Sequence, residues 1–112
     1  MSPWSLSRFE IRAPLIVGGA PFARVEIRHT TRGRLTDIGR GIGPVDCLFQ
    51  AIGQIVGREA QVASLDVDYR PPEATARISL VIDGETVEAV AKSDDLLTSC
   101  ALAYLEAATG SN

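Results

Sequence analysis

The chain punctuates itself twice in the same way, and this restricts its fold more than any other feature. Around Gly39–Asp46 a glycine-rich turn leads through Pro44 and Val45 to an acid, Asp46, and then into an apolar stretch. Around Ser93–Leu96 a serine and two acids, Asp94 and Asp95, lead into a second apolar stretch. Laying Asp46 over Asp95 aligns the two halves as strand signals, a turn, an acidic first helical turn and an apolar helix. A chain of 112 residues is long enough for one core and too short for two large ones.

Period and punctuation give each half its elements. Ser5–Ala13 alternates, though unevenly, with Leu6, Arg8, Glu10 and Arg12 against Ser7, Phe9, Ile11 and Ala13. Pro14 and Gly18–Gly19 mark an irregular loop. Phe22–Thr30 sets Val25 and Ile27 on one face and Arg24, Glu26 and Arg28 on the other; a turn at Thr31–Gly33 then leads to a short strand near Arg34–Ile38. Pro44 suits the first position of a helix, where its missing N–H would be unpaired anyway. Val45, Leu48, Phe49, Ile52, Ile55 and Val56 then recur at helical spacing up to a stop at Gly57.

The second half repeats the plan. Gln61–Tyr69 alternates, Pro71–Pro72 breaks it, and Ala74–Ile82 and Glu85–Ala91 flank the hairpin signal Asp83–Gly84. Ser93 is the expected N-cap, with Asp94 and Asp95 favouring the helix dipole, and the helix is expected to run to about Ala108 before Gly110. The expected fold class is therefore α+β: one domain over 1–112, with a βββα repeat over about 5–57 and another over about 61–110. The two are related by pseudo-twofold symmetry, and the sheet packs on the helices.

Composition narrows the partners. The net charge of −3 argues against nucleic acid, and the arginines are scattered through strand-like stretches without stacking aromatics. No apolar run reaches the roughly 18 residues needed to span a bilayer, and no secretory signal opens the chain. Cys47 and Cys100 sit singly in apolar stretches and read as buried thiols in a reducing cytoplasm, with a disulfide or a nucleophile as the alternatives. His29 is the single histidine, so no multi-histidine metal site is expected, and no cofactor is implied.

The hydrophobic fraction of 46% is high for so small a domain. Between Asp95 and Gly110 the only charge is Glu106, and a surface helix should carry a broad polar face. That pattern predicts a homodimer or higher oligomer, with Ala101 and Ala103 as candidate contact residues.

Two segments carry a resemblance. Gly41, Gly43, Pro44, Val45, Asp46, Ala51 and Ile52 match the motif that opens the first helix of the C-terminal regulatory domain of α-isopropylmalate synthases. Ser93-Asp-Asp-Leu-Leu-Thr-Ser-Cys-Ala-Leu-Ala-Tyr-Leu105 is similar to that domain's second helix, and the likeness covers roughly Phe9 to Ala108. The resemblance implies a cytoplasmic, dimeric, leucine- or isoleucine-sensing domain on its own chain, without the catalytic barrel. Such a domain would bind a small carboxylate or branched amino acid and act in trans on a separate catalytic synthase subunit.

The ligand-binding residues expected on this reading are Gly41, Gly43, Val45, Asp46, Ser93, Asp95 and Leu96. Backbone N–H groups at the two helix starts would hold a carboxylate, and Asp46 or Asp95 an ammonium. Both acids read equally as dipole partners, and the glycines as backbone geometry alone. Condensation of an acyl-CoA is not expected from this chain by itself. An alternative reading is an effector domain recruited as a small enzyme in specialised metabolism, with His29, Asp46, Asp95, Tyr104, Tyr69 and Cys47 as candidate acids, bases or nucleophile. A purely structural dimerisation module is the third.

Overall fold

A computed structural model describes residues 2–12 and 20–109. Ala13, Pro14, Gly18–Gly19 and Gly110, which the sequence assigns to a strand end, a loop and a helix stop, lie outside the described residues. In order, the elements are β1 (Trp4–Arg12), β2 (Phe22–His29), β3 (Gly33–Arg40), α1 (Pro44–Val56), β4 (Gln61–Arg70), β5 (Glu73–Ile82), β6 (Glu85–Ser93) and α2 (Leu96–Thr109). The order is βββα twice, an α+β fold. The chain divides after Gly57 into two compact units.

The first unit is an antiparallel sheet in the order β1-β2-β3. Ala23, Val25 and Ile27 on β2 are wholly buried, as are Cys47, Leu48, Ala51 and Ile52 of α1, which packs on β3 and β2. The uneven alternation of β1 has a physical cause. The register with β2 shifts between Leu6 and Arg8, so a bulge at Ser7 changes which residues face the core. Leu6, Phe9 and Ile11 therefore all lie opposite the buried residues Ile27, Val25 and Ala23. Arg8, Glu10 and Arg12 turn to the outer face.

Gly39 sets how closely the helix lies on β3. A Cβ built there would fall 2.1 Å from the Cys47 carbonyl oxygen and 2.4 Å from the Ala51 nitrogen. α1 ends where its sequence expects: Gly57 takes the left-handed conformation (φ +73°) and its N–H closes on the Gly53 carbonyl at 2.9 Å.

The second unit repeats the plan with β4-β5-β6. Its core is Ala74, Ala76, Ile78, Leu80 and Ile82 on β5 against α2. A bulge recurs near the start of β4, between Val62 and Ser64, and brings Val62 onto the face of Leu65, Val67 and Tyr69. The hairpin between β5 and β6 turns at Asp83 (φ 52°) and Gly84 (φ 81°), as the Asp-Gly pair requires. Pro71–Pro72, joined by a cis peptide bond, forms the turn from β4 to β5.

Two expectations need correction. Ser93 is not the N-cap of α2: it ends β6, and Asp95 takes the cap. The second concerns the missing polar face of α2. Ala101 and Ala103 are wholly buried, and Ala107 and Ala108 are 1% exposed, within this single chain. These alanines belong to the interior, while Leu96 and Glu106 stay exposed on α2. Ala101 and Ala103 are core, not contact residues.

Candidate functional site

The site expected from the sequence is the start of each helix, and the two starts differ. β3 ends at Arg40, and residues 41–43 turn the chain into α1. Gly43 is the N-cap in an extended conformation (φ −157°, ψ 174°), and no side chain caps the helix. Pro44 at the first position has no N–H to satisfy. The N–H groups of Val45 and Asp46 therefore open the helix uncapped, and the first intrahelical bond runs from Cys47 N–H to the Gly43 carbonyl at 3.0 Å.

Asp46 does not simply point outward. Its Oδ2 accepts the N–H of Ile42 at 3.2 Å, folding the carboxylate back over the turn. Gly41 makes room for it, since a Cβ there would lie 2.0 Å from that oxygen. Ile42 is left 98% exposed at the apex. Gly43 meets nothing within 4 Å of a built Cβ, so its surroundings are open. Gly41 and Gly43, paired in the sequence reading, thus do different things: one is a packing necessity and the other an open approach.

At α2 a carboxylate is already in place. Asp95 Oδ2 accepts the Thr98 N–H at 2.9 Å and the Thr98 hydroxyl at 2.7 Å, the arrangement of an acidic N-cap on the third residue of its helix. Ser93 Oγ accepts the Asp95 N–H at 3.2 Å and lies 2.6 Å from the Ser99 hydroxyl. Ser99, wholly buried, donates to the Ala74 carbonyl at 2.9 Å and so ties α2 to β5. Leu96 is 38% exposed at the first helical position. The start of α2 is thus capped by the chain's own carboxylate, whereas no side chain caps α1. Thr98, three residues after Asp95, was the signal for this cap; Ser99 carried no signal, because its partner comes from β5.

Of the residues named as possible acids and bases in the first unit, His29 does not meet Asp46. His29 ends β2, while the turn into α1 follows Arg40, which pairs with Phe22 at the opposite end of that strand. Eight residues at about 3.3 Å each place His29 on the order of 20 Å from the Asp46 turn. His29 is instead engaged locally: its Nδ1 accepts the N–H groups of Thr31 (3.2 Å) and Arg32 (3.3 Å), and its ring meets the Trp4 ring edge-on at 4.5 Å.

Tyr104 lies in the interior of α2, where burial pushes its phenol above the ordinary range. Burial, with the nearby Asp95 charge, likewise pushes the Cys100 thiol up. Cys47, also a free and buried thiol, donates to the Pro21 carbonyl at 3.4 Å. Tyr69 is 55% exposed on β4. Among the described residues no group of three or more His, Cys, Asp or Glu side chains gathers as metal ligands, and no helix is long and apolar enough to cross a membrane.

One open depression of about 280 Å³ lies elsewhere, over the outer face of the second sheet. Asp68, Arg70, Glu73 and Lys92 line it. They satisfy one another, Arg70 with Asp68 at 3.1 Å and Lys92 with Glu73 at 3.7 Å.

The doubled βββα order with a glycine-and-acid turn before α1 is matched by a known family over nearly the whole chain. The LeuA allosteric (dimerisation) domain covers residues 4–110. The chain belongs to that family. Among curated relatives, a 2-isopropylmalate synthase of Xanthomonas campestris pv. campestris (strain B100) is 32% identical over 96 residues, spanning 82% of this chain and 18% of the relative. The 2-isopropylmalate synthase of Xanthomonas oryzae pv. oryzae (strain MAFF 311018) gives the same values. That of Sediminispirochaeta smaragdinae is 30% identical over 91 residues, covering 78% of this chain and 18% of its own length. The chain thus spans about a fifth of the relatives it matches. As a LeuA-type regulatory domain it belongs to a family of amino-acid biosynthesis, associated with dimerisation and allosteric control.

Proposed function

We propose that this LeuA-type domain is a homodimeric effector-binding module that takes a small carboxylate, foremost a branched-chain amino acid, at the start of α1. We propose further that it acts in trans on a catalytic synthase subunit. The observation that carries the reading is the uncapped start of α1 in a member of an allosteric family. The N–H groups of Val45 and Asp46 offer a carboxylate two donors at the positive end of a helix dipole. Gly43 leaves the approach open, and one oxygen of Asp46 is committed to Ile42 while the other is available to an ammonium. Val45 and the exposed Ile42 supply apolar surface for a branched side chain. At α2 the Asp95 carboxylate stands where the ligand's would, so Ser93, Asp95 and Leu96 serve as a built-in counterpart of the occupied α1 start.

Titration calorimetry with leucine and with its 2-oxo analogue tests this. Gly43→Val places a side chain in open space on extended backbone, so the variant is expected to fold and to lose both ligands. Asp46→Asn keeps an acceptor for the Ile42 N–H but removes the charge. It should weaken leucine by about tenfold, the worth of one charge-assisted hydrogen bond, and leave the oxo acid nearly unchanged. Equal losses for both ligands would reduce Asp46 to a turn-holding residue. Undiminished binding in Gly43→Val would remove the site from the α1 start.

A further inference from the structure

The helix of the second unit does not cover its sheet evenly. α2 packs on β5 and β6 and barely reaches β4. The bulge near the start of β4 nevertheless keeps an apolar row on the helix side of that strand: Val62, Leu65, Val67 and Tyr69, opposite Leu80, Ile78, Ala76 and Ala74. Those partners on β5 are between 0% and 2% exposed, whereas Val62, Val67 and Tyr69 are 44%, 43% and 55% exposed. The core therefore continues one strand beyond the helix that should close it. In the first unit the corresponding row on β1 (Leu6, Phe9, Ile11) is half-buried, so β4 carries the barer strip.

We propose that this β4 strip is the surface on which a second copy of the chain docks. The inference rests on the homodimer proposed above and names the face that makes it. A ten-residue strand at about 3.3 Å per residue, with the ~10 Å breadth of one packed layer, presents about 330 Å². That is a suitable apolar centre for an interface needing about 800 Å² from each partner.

The other surfaces of the unit do not offer one. The outer face carries the ion-paired Asp68, Arg70, Glu73 and Lys92, and the alanines of α2 are already buried. A strip without charges can meet its own twofold copy with no like charges opposed, as an isologous contact requires. Tyr69 combines large apolar area with a hydroxyl at the rim, the residue type that dominates interface energetics.

The test is sedimentation equilibrium across the micromolar range on the wild type, on Val67→Lys with Tyr69→Lys, and on Val90→Lys. Val90 is 44% exposed and pairs with Arg77, on the opposite face of the same sheet. The wild type should sediment at twice its 11.9 kDa chain mass. The double variant should raise the dimer dissociation constant by at least about a hundredfold, because it buries unpaired charge, while its circular dichroism stays that of the wild type. Val90→Lys should remain dimeric. Should the lysines unfold the chain, Val67→Thr with Tyr69→Thr keeps strand propensity and should still weaken the dimer at least about tenfold. A wild-type dimer undisturbed by the folded β4 variants would overturn the strip and leave the homodimer standing. A wild type that is monomeric throughout would overturn both.

Discussion

Replacing Gly39 by alanine tests the account of how α1 is seated. A methyl group at that position would sit on the helical hydrogen-bonding pair formed by the Cys47 carbonyl and the Ala51 N–H, 2.1 and 2.4 Å from the two atoms and 3.0 Å from Ala51 Cβ. Ordinary contact begins near 3.4 Å, so α1 must withdraw from β3 by about 1.3 Å. Neither obstructing atom belongs to a flexible side chain, so no rotamer change relieves the clash.

The withdrawal would loosen the packing of Leu48, Ala51 and Ile52, all now wholly buried. Overpacking of this kind costs about 1–3 kcal/mol, and the looser fit of these side chains as the helix retreats brings the expectation to about 2–4 kcal/mol. In urea denaturation followed by circular dichroism the midpoint should fall by roughly 1–2 M with an unchanged slope. Gly43→Ala is the control: the backbone there is extended and the space is empty, so the loss should stay under about 1 kcal/mol. Two variants of equal stability, or a Gly39→Ala protein within about 0.5 kcal/mol of the wild type, would refute the reasoning.

Two further outcomes concern the second unit. Asp95→Ala removes the acceptor for the Thr98 N–H and should cost about 1 kcal/mol, read as a lower thermal midpoint; no change would return the cap to Ser93. The buried Cys100 thiol has a folded-state pKa above its ordinary value of 9.0. Above about pH 9 the unfolded chain therefore releases a proton that the folded chain keeps, and stability falls as pH rises until the folded thiol ionises too. Denaturation midpoints between pH 8 and pH 10 should show this decline, and Cys100→Ala should flatten it, whatever its own stability. An identical slope in the variant would assign the alkaline loss to another group, such as Tyr104, whose phenol burial also raises.

Much of the candidate site was legible in the chain. Pro44, Asp46 and the flanking glycines marked the start of α1, and the same segment carried the family resemblance. The residues at the α2 start were also visible there, but not their roles. Ser93 and Asp95 are both good capping residues, and only the hydrogen bonds of Asp95 to Thr98 and of Ser93 toward Ser99 separate them. Gly39 stood in plain sight within a glycine-rich stretch. Its necessity comes from a helix backbone 8 to 12 residues further on, which no local pattern encodes.

Features that depend on neighbours along the chain could be read from it directly. Helical spacing from Val45 to Val56, the Asp83–Gly84 hairpin and the stop at Gly57 are local preferences of the backbone, and the structure has each. The doubled βββα order follows from these signals repeating. Which surfaces are closed is a matter of tertiary packing instead. An alanine-rich helix with one charge reads identically whether a second chain or its own core surrounds it, and here the chain itself buries the alanines. The alternation in β1 reads as uneven and that in β4 as regular, yet a single bulge residue in each exchanges the two faces, and only pairing with the next strand shows where. α2 lies over β5 and β6 rather than β4 because packing places a helix where side chains from different strands leave room. That offset leaves Val62, Val67 and Tyr69 uncovered, a property of the arrangement and of no residue alone.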